Sequence, residues 1–333
     1  MAWFTKLTGI DEESPAQVRQ ELSVDGQHLV CPDGKRIAFG RFETPTLSEL
    51  RKAVTDLNSY PKCSTIREVV GDVRKLHTDP ASANAMFQVA SQFNLLEMTG
   101  PSVTPEWGVG IYENDPTQGP ACAIACGAGT IYRNYFADVD GQIGQTSDRQ
   151  IDCSATLGTE LGNSGQRLWK MRNGYLFPTD HGLPKIAERI QASSEGERDA
   201  LLGQLRIGLQ LNAEVTLEGA GHCVSQAYCS ALPVAYGRQP ADQWGDFAKL
   251  ILDAAYEATL AAAALNAART SNPVVYLTLL GGGVFGNQDH WIIEAIERAF
   301  EIHRGHGLDV RMVSYGRSKP AVEELVRRLS GTR

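Results

Sequence analysis

Near the carboxyl end of the chain a run of β-formers, Val274 to Leu280, stops at three consecutive glycines, Gly281 to Gly283. Gly286 follows, and then an amphipathic helical pattern occupies 288–303. A short apolar run that ends in glycines and feeds a helix reads as a buried strand of a parallel α/β sheet. Ligands of such sheets bind beyond the carboxyl ends of the strands. Glycine permits positive φ and lets a ligand approach the main chain. A helix starting near Asn287 would add free N–H groups and a positive dipole end. Together these features favour an anionic group, such as a phosphate or diphosphate. The same glycines also suit a tight turn that needs them for packing. No Lys-Ser/Thr follows, so the loop is not a Walker A motif. Gly281, Gly283 and Gly286 have G-x-G-x-x-G offsets, but they lie on the next-to-last strand, with no later strand carrying an acid at its tip.

The rest of the chain alternates in the same way. Strands are expected at 66–71, 84–94, 213–218, 222–232 and 308–316. Helices are expected from Pro120 through the small-residue stretch to 136, over 242–268 and at the final "SKPAVEELVRRLSG". Before them, Asp25-Gly26 and Pro32-Asp33-Gly34 mark turns of a β-hairpin or meander, and Thr46 caps a helix with Leu47, Leu50, Val54 and Leu57 on one face. The expected organisation is therefore a β-rich N-terminal extension over 1–62 and an α/β domain over 63–333. Residues 137–210 interrupt that domain as an insert, with a hairpin at Asn173-Gly174 and helices near 182–191 and 196–210.

A formal charge of −8 argues against general nucleic-acid binding or membrane-surface binding. No apolar run of membrane-spanning length is expected, and the N-terminus has no export-signal pattern, so the cytoplasm is the default location. The seven cysteines are scattered, which suits buried thiols in a reducing compartment. Cys122-x3-Cys126 and His222-Cys223-x5-Cys229 lack the paired spacing of a usual zinc site, so no metal and no cofactor are expected.

"LTLLGGGVFGNQDHWIIEAIERAF" resembles the second ligand loop of the macrodomain family, in which a strand enters a Gly-(Val/Ile)-Phe-Gly turn and then a helix. "VVGDV", "FQVASQFN", "TQGPACAIACGAGTIY" and "DVRMVSYG" follow the family's order of parts across 66–136 and 213–316, in a divergent member with a large insert. The resemblance implies a mixed, largely parallel sheet flanked by helices. It also implies ADP-ribose or another adenine nucleotide as ligand, with an ADP-ribosylated macromolecule as a further partner.

Carried over by residue, Asp72 would accept from the adenine amino group, with Val73 beside it. Asn94 would face the distal ribose, and Gln118 and Gly119 belong to the first loop. Gly281, Gly282, Gly283, Val284, Phe285, Gly286 and Asn287 would hold the diphosphate, with Phe285 also near the distal ribose. Ser314 and Tyr315 would flank the adenine. Read without the resemblance, Asp72 also suits a turn, Asn94 a strand end and Tyr315 a core position.

The resemblance leaves open an ADP-ribosyl hydrolase, a non-catalytic sensor, and a different small-molecule enzyme with the insert as a lid. The interval from Gly71 to Asn94 is longer than the family's, and "NDPTQGPACA" departs from its glycine-rich first loop. Hydrolysis needs an activated water at the distal ribose, positioned by a general base. Candidates are Asn94, Asp115 and Cys122, whose thiol would start a helix, with Glu97, Glu106 and Glu113 nearby in sequence. His222 and His290 are the histidines nearest expected ligand-side element ends.

Overall fold

The structure is a computed structural model and describes residues 2–57 and 63–331. Its centre is a seven-stranded sheet. In chain order the strands are β1 (Arg41–Glu43), β2 (Thr65–Val70), β3 (Met86–Ala90), β4 (Gly208–Glu214), β5 (Cys223–Cys229), β6 (Val274–Leu277) and β7 (Asp309–Ser314). Their order across the sheet is β1-β4-β5-β3-β6-β7-β2. The five from β5 to β2 are parallel, and β4 runs antiparallel to both β5 and β1. The expected mixed, largely parallel sheet flanked by helices is present.

The central strands are buried on both faces, as their apolar runs require, and the one polar residue in them, Gln88, donates to Thr259. The helix Gly245–Thr270 packs along the sheet and is buried for most of its length, because its alanines let the backbone approach closely. With the turn before it, this helix is long and apolar enough to cross a membrane, contrary to the sequence expectation. Its most apolar window is 89% buried within the protein, and a core helix passes the same test.

The N-terminal meander forms at Ser23–Asp25, His28–Val30 and Arg36–Ala38, preceded by two short helices, Trp3–Thr8 and Pro15–Glu21, that the sequence reading missed. The helix after it spans Leu47–Thr55. Thr46 accepts from the Glu49 amide while Glu49 accepts from the Thr46 amide, a reciprocal cap worth about 1 kcal/mol. The expected continuation of this helix to Tyr60, and the expected boundary at 62, fall outside the described residues. This segment is integrated with the rest: β1 pairs with β4, and Leu47, Leu50 and Val54 belong to the main core.

Further boundaries differ from expectation. The strand expected at 213–218 starts at Gly208, and the helix expected over 196–210 ends at Gly203, so the end of the expected insert supplies sheet structure. A bulge between Gln210 and Ala213, with Asn212 at φ +62°, breaks the alternation there. The strand expected over 84–94 stops at Ala90. A helix at Val73–Thr78 was missed, and the helix expected over 120–136 is two helices, Gln118–Ala125 and Gly127–Tyr135, meeting at Cys126.

Candidate ligand cleft

A cleft of about 600 Å³ opens at the carboxyl ends of β2, β3, β6 and β7. The loop after β6 forms one wall. Tyr256 clamps its start by donating to Thr278 O and accepting from the Leu280 amide. Asn287 closes its end: its amide donates to Gly281 O and its Nδ2 to Leu232 O. Gly281 has φ +75°, and a Cβ there would lie 2.4 Å from Ala231 Cβ, so only glycine fits. The Gly282 and Gly286 amides are spent on Leu279 O and Gly283 O. Among the described residues, the amides of Gly283, Val284 and Phe285 have no hydrogen-bond partner, and all three residues line the cleft. A row of open amides on a fixed loop is an anion cradle.

Two expectations for this loop need correction. Gly286 and Asn287 hold the loop shut from behind and do not line the cleft. The following helix starts at Asp289, and its first turn does not line the cleft either, so the open amides are the loop's own.

Across the cleft, Asp72 and Val73 leave β2. Asp72 caps the helix Val73–Thr78 by accepting from the Arg74 amide at 2.8 Å, and both residues line the cleft. Tyr315 lines it too and is 77% exposed, not core. Ser314 does not: it is buried and donates to Glu68 at 2.5 Å.

The first loop arrives over Asp115–Gly119. Asp115 lines the cleft and accepts from the Thr117 amide. Gln118 is tied to β3, with Oε1 accepting from the Ala90 amide and Nε2 donating to Gln88 O. Gly119 lies so close to β3 that a Cβ would sit 2.0 Å from Ala90 O. Cys122 does not line the cleft. It is wholly buried, and burial pushes its thiol far above the ordinary range, so the expected helix-start thiolate is absent.

Asn94 also lies outside the cleft. It is fully buried, donating to Gln150 and accepting from the Leu96 amide. The hairpin Trp169–Arg172 and Tyr175–Pro178 covers it; a Cβ on Gly174 would lie 2.4 Å from Asn94 Oδ1. Ser91 and Gln92, earlier in the same polar stretch, reach the cleft instead. Glu106 is engaged by the Ser147 amide and Glu113 by the Trp3 amide, while His222 donates to His77 O. None of these three lines the cleft, nor does His290.

Glu97 was a candidate only by its nearness in sequence to the first loop. It is 2% exposed and lines the cleft. Neither carboxyl oxygen makes a well-formed hydrogen bond; its polar neighbours are the Tyr112 hydroxyl and Arg133 Nη2, the latter 3.9 Å away. Burial pushes its pKa from 4.5 up to about 8, against the opposing pull of Arg133. Sequence reasoning also missed Tyr175 and Tyr236. With Phe285 they form an aromatic cluster with ring centroids 5.4 to 5.8 Å apart, and Tyr175 Oη donates to Met98 O. Asn173-Gly174 signalled the hairpin, but no local feature signalled where it docks. No group of three or more His, Cys, Asp or Glu suited to a metal occurs among the described residues.

No protein-family model matches the chain, and no curated protein matches it in sequence. Solved structures similar to it include poly(ADP-ribose) glycohydrolase from Deinococcus radiodurans in complex with ADP-ribose, at 12% identity and TM-score 0.46, covering 97% of this chain and 100% of that one. The Thermomonospora curvata poly(ADP-ribose) glycohydrolase is another, at 12% identity and TM-score 0.42, covering 94% and 96%. The same enzyme bound to the inhibitor ADP-HPD matches at 13% identity and TM-score 0.41, covering 95% and 96%. Likenesses this distant decide nothing about the chemistry of the cleft.

Proposed function

We propose that the chain is a divergent macrodomain-type protein that binds ADP-ribose or a related nucleotide diphosphate in this cleft and hydrolyses an ADP-ribosyl linkage. The observation that carries the reading is the row of unpartnered amides at Gly283, Val284 and Phe285, facing a cleft large enough for a nucleotide. The macrodomain resemblance at 274–300 supports the assignment of this row to a diphosphate. Asp72 and Tyr315 would then take the adenine, and Phe285 with Tyr175 and Tyr236 the distal ribose. On this reading the protein acts in the cytoplasm on free ADP-ribose derivatives or on an ADP-ribosylated macromolecule.

A panel of ADP-ribose, NAD and AMP in thermal-shift measurements tests the binding. A ligand at a hundred times its dissociation constant adds about 2.7 kcal/mol of stability. Absence of a shift with every adenine diphosphate would leave only the fold. A non-catalytic sensor is the second reading, favoured by the first loop itself. Its one cleft-lining acid, Asp115, is turned onto the Thr117 amide.

A further inference from the structure

The charged residues that line the cleft are sorted by side. Glu97 and Asp115 belong to the segment after β3 and to the first loop. Arg74 and Lys319 stand at the opposite end with Asp72, and among the described residues they are the two cations of the lining. Arg74 follows β2 and Lys319 follows β7, which are neighbouring parallel strands at the edge of the sheet. The open amides of Gly283 to Phe285 follow β6, on the other side of β7. At the usual spacing of neighbouring strands, β2 and β6 lie roughly 10 Å apart. The two cations are therefore set off from the amide row by a distance that a nucleoside can span.

Both cations stand on fixed backbone. Asp72, the acid nearest to Arg74 in the chain, accepts from the Arg74 amide at 2.8 Å and makes no ion pair with the guanidinium. Gly316, at φ +75°, turns the chain between Tyr315 and Lys319. The Lys319 amide donates to Glu68 at 3.1 Å, and the Ser314 and Ser318 hydroxyls donate to the same carboxylate. Glu68 is thus already bonded, and the Lys319 ammonium attracts it without pairing with it. Among the described residues, neither the Arg74 guanidinium nor the Lys319 ammonium has a hydrogen bond or an ion pair. In a chain of net charge −8, two unpaired cations on one end of a cleft make a local field of opposite sign that draws an anion. A guanidinium and an ammonium are both phosphate-binding groups.

Resting on the proposed function, which puts adenine against Asp72 and Tyr315, we infer that Arg74 and Lys319 form a second anion subsite for a phosphate monoester on the adenosine ribose. The ligand class is then an ADP-ribose derivative with a third phosphate, at the 2′ or 3′ hydroxyl. That ribose lies between the adenine and the diphosphate, and Arg74 and Lys319 closely follow Asp72 and Tyr315 in the chain. The diphosphate has its own cradle in the amide row, on a loop from Thr278 to Asn287 that contains no lysine or arginine.

The test is calorimetry with ADP-ribose, its 2′-phosphate and its 3′-phosphate, on wild type and on the double variant Arg74→Gln, Lys319→Gln. Arg74 is half-buried and Lys319 exposed, and neither side chain bonds another, so the variant keeps the fold. The readout is the affinity of each phosphorylated ligand relative to ADP-ribose within one protein. In wild type at least one of the two phosphates should bind at least about tenfold more tightly than ADP-ribose, and in the double variant that ratio should fall to within about threefold of unity. The wild-type ratio should also shrink as salt is raised. A wild type that binds ADP-ribose but gains nothing from either phosphate overturns the inference and leaves the proposed function standing. A ratio that the double variant leaves unchanged overturns it too, because the third phosphate then sits elsewhere or the cations serve the diphosphate. Failure of all three ligands to bind wild type removes the proposed function and the inference with it.

Discussion

Two glutamates in this protein are buried to the same 2% and are treated in opposite ways. Glu257, in the middle of the long helix Gly245–Thr270, accepts from Arg51 at 2.5 Å and from Arg298 at 2.7 Å. Burial pushes its pKa up, but these two charge-assisted bonds outweigh it and hold the carboxyl below its ordinary range. Glu97 has an arginine near but not bonded, and burial dominates. Depth alone therefore says nothing about role; partners do. Glu257 joins three helices and does not line the cleft, so it is scaffold. Glu97 is left open on the wall of the cleft.

The contrast can be broken by mutation. The largest effect is expected from Glu257→Leu, which leaves Arg51 and Arg298 only Asp199 as an ion-pair partner and should cost about 3 kcal/mol in urea denaturation. A loss under about 1 kcal/mol would make Glu257 an ordinary surface pair. Next comes the pH dependence of Glu97. Its folded pKa of about 8 lies above the ordinary 4.5, so the native state keeps a proton that the unfolded chain releases between those values. Its contribution is therefore complete below pH 4.5 and is lost as pH rises to 8, a swing on the order of a few kcal/mol. Burial lowers His77 and His303 to about 4, so both destabilise the fold as pH falls from 6.5. The difference between wild type and Glu97→Gln removes that opposing trend. The variant should gain on wild type steadily from pH 5 to 8, and a constant difference would mean that Glu97 is ionised throughout.

Smaller effects sharpen the picture of the wall around Glu97. Gly119→Ala drives a methyl into a backbone carbonyl and should cost about 1–3 kcal/mol, whereas Gly283→Ala meets nothing within 4 Å and should be near neutral. Asp72→Ala loses only a helix cap, about 1 kcal/mol, and equal stability of variant and parent would show the cap to be idle.

The sheet was legible because its signals are local. Apolar runs, the glycine stop at 281 and the turn at Asn173-Gly174 each act within a few residues. The glycine loop was legible in the same way, whereas Asp72, Val73, Gln118, Gly119 and Tyr315, which also line the cleft, were reached through the macrodomain resemblance. What escaped depends on contacts distant in sequence. Asn94 is buried because a hairpin eighty residues later docks on it. Ser314 turns from the cleft because Glu68, on the neighbouring strand, takes its hydroxyl. Glu97 sits in a stretch of ordinary polarity, and only the packing of Gly119, Tyr112 and Arg133 around it turns a loop acid into a buried one.

Underlying all of this is the claim that the amides from Gly283 to Phe285 receive the charged oxygens of a diphosphate. Calorimetric titration of ADP-ribose into wild type and Gly283→Glu tests it most directly, because the new side chain enters open space and leaves the fold intact. The account predicts saturable one-to-one binding by wild type and at least about a hundredfold weaker binding by the folded variant, in which a carboxylate meets the diphosphate. Equal affinity in the two proteins would place the ligand elsewhere and contradict it.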